Sequence, residues 1–389
     1  MKIVIAPDSF KESLSAVSVA ACIEKGFREI FPDADYVTLP LADGGEGTVD
    51  VLLQGLAGQK RTNKVQGPLG TLISAEWAML EPSVQSSKRT ALIEIAAASG
   101  LDLLTPEQRD PLVASSFGTG QLILEAIEQG AQTIILGLGG SATNDGGAGI
   151  VQALGGKLLD RAGQELSRGG AVLADLASID LTGVDSRCSD IELIVACDVD
   201  NPLCGDNGAS YIFGPQKGAS PEQVVTLDKA LENFAQVAET QGYAGGDEPV
   251  YKRVGYGAAG GTPMGLGLLF NIQIKPGIEM VLDVLQADDL LKGADLVITG
   301  EGQMDNQTLQ GKTPYGIAKR ASLQGIPIIG IAGSLGTEVE ALYGEMNSLF
   351  GTVRSPQSLD QVLLEAELNL TRTARNIAAT LKVGHAILK

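Results

Sequence analysis

Aspartates, glutamates and lysines at the ends of short apolar runs are the residues of this chain best placed to do chemistry. The first run, Lys2 to Ala6, is followed by Asp8, Ser9, Lys11 and Glu12, and a second, Tyr36 to Leu39, by Asp43 and Glu46 among glycines. Open α/β sheets gather ligands beyond the carboxyl ends of their strands. The first group therefore reads as an acid-and-base clamp for a polar substrate, and Asp43 and Glu46 either join it or cap the helix behind them. A third run, Ile191 to Ala196, ends in Asp198, Asp200 and Asn201, where a carboxylate could orient or deprotonate a substrate hydroxyl. Late in the chain Gly300-Glu301-Gly302 precedes Asp305 and the pair Lys312-Thr313 at a helix start. Glu301 and Asp305 could hold Mg²⁺ and Lys312 a phosphate, with plain capping and solvation as the alternative. A Walker-type P-loop is excluded, because the upstream glycine it needs falls on Asn306.

The segment Leu138 to Gly149 follows another apolar run and precedes a helical pattern. Strand, glycine loop and helix in that order can cradle a phosphate on unpaired backbone N–H groups. Gly139 and Gly140 would allow close approach, and Ser141, Thr143 and Asn144 would add donors. The dinucleotide version of the pattern fits less well, since Ala142 stands where its third glycine belongs. Gly260 and Gly261, in Gly257 to Thr262, permit close backbone contact by either a ligand or a packed helix.

Other chemistries are excluded by composition. His385 is the only histidine, so Ser-His pairs, histidine bases and His-ligated zinc are ruled out as the basis of a mechanism. Cys22, Cys188, Cys197 and Cys204 lack metal-ligand spacing and read as structural thiols. A formal net charge of −19 argues against nucleic-acid and anionic-membrane partners. No apolar run reaches membrane-spanning length and no signal peptide is visible, so the expected location is the cytoplasm.

The elements that must position these residues follow an alternating grammar. Val19, Ile23, Phe27 and Ile30 recur at helical spacing before Pro32, and a second helix follows Gly47, giving βαβα and hence a parallel sheet. Thr71 to Leu80 and Thr90 to Ile95 look instead like strands of a hairpin-type arrangement. Alternation returns with a strand at Leu296 to Thr299, a helix at Pro314 to Leu323 and strands at Pro327 to Ala332 and Ser348 to Val353. At 389 residues two domains are expected. The economical arrangement is a discontinuous Rossmann-like parallel-sheet domain, 1–60 with 280–389, carrying a second, inserted α/β domain at 61–279. Two sequential domains split near Gly260 are the alternative.

In order along the chain, Pro7-Asp8-Ser9-Phe10-Lys11-Glu12-Ser13-Leu14, Ala42-Asp43-Gly44-Gly45-Glu46-Gly47-Thr48, Ser116-Phe117-Gly118-Thr119-Gly120 and Gly139 to Gly147 resemble the bacterial type 1 glycerate kinase family. The likeness continues through Cys197-Asp198-Val199, Asn201-Pro202-Leu203, Gly214 to Ala219, Ala258 to Gly261, Thr299 to Gly302, Asp305 and Gly311-Lys312. It implies two α/β domains and ATP-dependent phosphorylation of D-glycerate in an interdomain cleft, usually to 2-phosphoglycerate, with 3-kinase regiochemistry as the variant. Under it, Asp198 orients or deprotonates the hydroxyl, Lys11 and Lys217 neutralise phosphate or carboxylate, and Asp8, Ser9, Asp43, Glu46 and Asn201 meet the substrate. Asp145, Glu301 and Asp305 support Mg²⁺, while Gly139, Gly140, Ser141, Thr143, Asn144, Gly260, Gly261, Lys312 and Thr313 meet ATP. The chain is then a monomer or homodimer. A nucleotide-dependent oxidoreductase and a non-catalytic binder of sugar acids are the competing readings.

Overall fold

The computed structural model describes residues 1–45, 47–82, 88–244, 248–309 and 311–387. Their thirteen strands are β1 (Lys2–Ile5), β2 (Asp35–Thr38), β3 (Gly58–Gln66), β4 (Leu72–Leu80), β5 (Thr90–Glu94), β6 (Thr133–Gly137), β7 (Lys157–Leu159), β8 (Ser178–Asp180), β9 (Glu192–Ala196), β10 (Asn271–Lys275), β11 (Leu296–Met304), β12 (Ile328–Leu335) and β13 (Ser348–Gly351). Two compact units emerge, one from Met1–Asp43, Asp50–Gly55 and Pro276–Lys389, the other from Gly44–Val49 and Leu56–Lys275.

The first unit is Rossmann-like. Its sheet has the order β13-β12-β11-β1-β2, with every pairing parallel. Counted within the unit alone, that is the doubly wound order 2-1-3-4-5, whose direction of growth reverses between β1 and β11. Ile3, Val4 and Ile5 are buried because helices cover both faces of a parallel sheet. The helix Ala16–Arg28 starts at Ser15, whose side chain accepts from the Ser18 amide, and buries Val19, Ile23 and Phe27. It packs along the long helix Ala366–Ile387, which buries Leu370, Ala374 and Ile377 in the same core. Arg320 ties three helices together through Asp283 at 2.8 Å, Asp288 at 2.6 Å and Glu279 at 2.5 Å.

The second unit is also α/β, but mixed. Its six-stranded sheet runs β10-β9-β6-β5-β4-β3, antiparallel from β3 through β5 and parallel from β5 through β10. The hairpin texture read from residues 71–95 is the antiparallel half of this sheet. Trp77 is buried in that half, its indole N–H bonded to Asn63 Oδ1 at 2.8 Å. Both units thus obey the α/β class expected of the sequence. Among the described residues no helix is long and apolar enough to cross a membrane.

Candidate active site

In the Rossmann-like unit a cavity of about 810 Å³ opens at the carboxyl ends of β1, β11, β12 and β13. One side of it is polar. Asp8 lies three residues beyond β1, and its amide donates to Gly300 O at 2.8 Å, carrying the backbone contact with β11 past the end of the strand. Burial pushes the Asp8 carboxyl above its ordinary range and the neighbouring Asp43 adds to the rise. The Thr313 hydroxyl, which is buried and lacks a full hydrogen bond, holds it back in part. The next residues form a tight turn closed by Phe10 N to Leu14 O at 2.8 Å. Glu12 has a left-handed φ of 65°, a strained choice for a non-glycine residue, and this turn sets Lys11 on the cavity wall.

Across the switch point, Glu301 on β11 is 8% exposed and accepts from Thr308 Oγ1 at 2.6 Å. Burial raises its carboxyl, and the charge of Asp8 contributes to the rise. Lys312, at the start of the helix Thr313–Leu323, approaches Glu301 at 3.7 Å. Asp8, Ser9, Lys11, Asp43, Glu301 and Lys312 therefore meet around one cavity. Glu46 lies outside the described residues.

Asp305 is tied into its own turn. Its Oδ1 accepts from the Gln307 amide at 2.9 Å and its Oδ2 from Gln303 Nε2 at 3.0 Å, so it shapes the turn after β11. Mg²⁺ bound with a nucleotide needs one or two protein carboxylates, the phosphate oxygens and water supplying the rest. Asp8 and Asp305 both raise the charge cost of Glu301, and Asp8 and Glu301 line the cavity. Among the described residues no cluster of three acidic, histidine or cysteine side chains forms a metal cage.

The glycine loop of the second unit is built differently from a phosphate cradle. Residues 141–150 are buried, and only Gly139 and Gly140 are exposed. Asp145, wholly buried, takes the place an anion would occupy. Its Oδ2 accepts from the Ser116 amide (2.8 Å), Ser116 Oγ (2.9 Å) and the Gly149 amide (3.2 Å), and its Oδ1 from the Gly147 amide (3.1 Å). The N–H groups at this helix start are thus spent internally. Burial raises the Asp145 carboxyl, opposed by those four donors. In this arrangement it organises the loop from within.

Lys217 has a similar part. It is 2% exposed, and its Nζ donates to Ser141 Oγ at 2.9 Å and Thr143 O at 2.8 Å, pinning the loop. Burial brings its pKa down to about 7, with Asp145 opposing. Asn144 Nδ2 donates to Ser210 Oγ at 2.9 Å, while Asn144 Oδ1 and the Thr143 hydroxyl are buried without a hydrogen-bond partner. Gly260 and Gly261 are explained by packing: both have left-handed φ (68° and 90°), and a Cβ on Gly260 would collide with Thr143 O. The Gly146 amide donates to Gly260 O at 2.9 Å in the same contact. Asn201 braces its own loop, with Nδ2 donating to Asn207 O at 2.8 Å. Asp198 is exposed just beyond β9.

Sequence reasoning missed the rest of the first unit's cavity. Arg354, Gln357 and the apolar Val353, Leu359, Val362 and Leu363 line it. The signal was present, since Ser348 to Val353 read as a strand and the strand-end rule points to whatever follows it.

A doubly wound sheet with acidic and basic side chains converging at its switch point, interrupted by a second α/β unit, defines a two-unit α/β enzyme of polar small molecules. Comparison with known proteins makes this specific. The model of the glycerate kinase family matches residues 3–382. The chain is 50% identical to the glycerate 2-kinase of Escherichia coli K12 over 99% of both chains. It is 48% identical to the glycerate kinase of Bacillus subtilis 168, over 99% of this chain and 98% of the relative. A crystal structure assigned as glycerate kinase 2 from Salmonella typhimurium LT2 superposes with a TM-score of 0.88 at 49% identity, over 99% of each chain. The chain belongs to the glycerate kinase family and is a phosphotransferase.

Proposed function

We propose that this protein transfers the γ-phosphoryl group of ATP to the 2-hydroxyl of D-glycerate, giving 2-phosphoglycerate. The observation that carries the reading is the cavity of the Rossmann-like unit, with carboxylates and lysines together at the switch point. Phosphoryl transfer asks for positioning and charge neutralisation more than for covalent chemistry, and these residue types supply both. Lys312 and Lys11 would neutralise phosphate oxygens. Asp8 and Glu301 would hold Mg²⁺, which would supply positive charge against the phosphates. Asp43 and Ser9 would complete the polar wall. The raised carboxyls of half-buried Asp8 and buried Glu301 support the assignment, because like charges sheltered from water are costly until a cation joins them.

In the second unit, Asp198 is proposed to orient or deprotonate the accepting hydroxyl. It is exposed just beyond a strand end, the position where α/β sheets gather ligands. Gly139 and Gly140 keep the only exposed main chain of the glycine loop and are retained as phosphate contacts; Lys217 is assigned to holding them. The expected setting is the cytoplasm, where ATP is available.

The test is phosphorus NMR of protein, D-glycerate and MgATP. A new phosphomonoester signal split into a doublet by the single C2 proton, with ADP formed mole for mole, is expected; a triplet would place the phosphate on C3, and no ester would defeat the reading. The Asp198→Asn protein should form the ester about 100-fold more slowly, and turnover within a few-fold of the parent would remove Asp198 from its role.

A further inference from the structure

The apolar half of the cavity has no role in the chemistry described so far. The helix Leu359–Leu364 buries none of its residues, yet Leu359, Val362 and Leu363, at helical spacing i, i+3 and i+4, all line the cavity. Leu359 is 67% exposed and Val353, facing the same space from the end of β13, is 42% exposed. Large apolar side chains left open on the wall of a concave site mark a place for a flat apolar ligand group.

Polar residues join that wall, Gln357 among them. Gln357 lines the cavity, and its Nε2 donates to Glu365 Oε2 at 3.1 Å. The same carboxylate oxygen is ion-paired with Arg354 at 3.0 Å. A carboxylate held by an arginine only accepts, so the amide orientation is fixed by its partner. Its other end, Oε1, is buried and has no hydrogen-bond partner. A buried acceptor left without a donor is unfavourable until a ligand supplies one.

We infer that the space between Val353 and the helix Leu359–Leu364 is the nucleobase subsite, with Gln357 Oε1 accepting from the exocyclic amine of adenine. This rests on the reading of the cavity as the ATP site. The chemistry discriminates: hypoxanthine and guanine present a carbonyl oxygen at the equivalent ring position, which would face the Gln357 oxygen as acceptor against acceptor.

The experiment compares kcat/KM for ATP and for ITP, in the parent and in Gln357→Met, with D-glycerate saturating. The parent should favour ATP by about 10-fold or more, as expected for one buried hydrogen bond. Gln357→Met should bring the two nucleotides within about 2-fold while the KM for glycerate stays constant. Leu359→Asp, a second and surface-exposed change, should raise the KM for both nucleotides together. An unchanged ATP-to-ITP ratio in Gln357→Met, or no nucleotide KM effect in Leu359→Asp, would overturn the subsite while leaving the kinase reading intact. Absence of turnover with any nucleotide would overturn both.

Discussion

Lys217 shows how a single side chain can carry a function by holding others in place. Its ammonium is buried, and desolvation brings its pKa to about 7, against about 10.5 for a free lysine. Between those values the unfolded chain binds more protons at this site than the folded one, so stability from this group rises with pH across that window and is lowest below about pH 7. The neutral amine still donates to Ser141 Oγ and Thr143 O. Measured against Lys217→Met by urea unfolding, the parent should gain relative stability from pH 7 to pH 9, and a flat difference would mean the amine is not desolvated as the structure has it. At this scale the sequence was informative about residue type and silent about direction. Asp8, Lys11, Asp43, Glu301 and Lys312 were legible as strand-end groups. That three N–H groups and a hydroxyl converge on Asp145 depends on its contacts with Ser116, Gly147 and Gly149, which no local pattern announces.

Among the elements, the glycine-rich stretches divide by what approaches them. Gly260 admits Thr143 O of its own chain, so Gly260→Ala combines a left-handed φ with a backbone collision. It should cost about 2 kcal/mol or more in urea unfolding; a loss under about 0.5 kcal/mol, with weakened ATP binding, would return this glycine to a ligand role. Strand, glycine loop and helix describe both a phosphate cradle and the observed loop, which is why 138–149 was legible as an element while its internal contacts were not. The difference is one carboxylate, Asp145, which supplies the anion from within the chain. Gly26 makes the same point between helices: its missing Cβ leaves room for the backbone of Thr371 and Arg375.

For the whole molecule, the α/β alternation was readable because strands covered on both faces are apolar throughout, as at Ile3 to Ile5 and Ile328 to Ile331. The interruption was readable too, because β3 and β4 alternate and pair antiparallel where a crossover helix would otherwise stand. What could not be read was the strand order, since β1 and β11 lie side by side although the whole insertion separates them in sequence. That pairing creates the switch point and brings Asp8 to Glu301. A net charge of −19 makes the cavity's cations the local exception on an acidic molecule, and an anionic nucleotide depends on them.

The central claim, that the strand-end cavity of the Rossmann-like unit receives the phosphates of ATP, is tested most directly by steady-state kinetics of Lys312→Met with MgATP varied at saturating D-glycerate. Lys312 is partly exposed, with 40% of its side chain open, so the protein should fold with its melting temperature nearly unchanged. The account predicts that kcat/KM for ATP falls about 100-fold while the KM for glycerate moves less than about 3-fold. A kcat/KM for ATP within about 3-fold of the parent would contradict it and move the phosphates elsewhere.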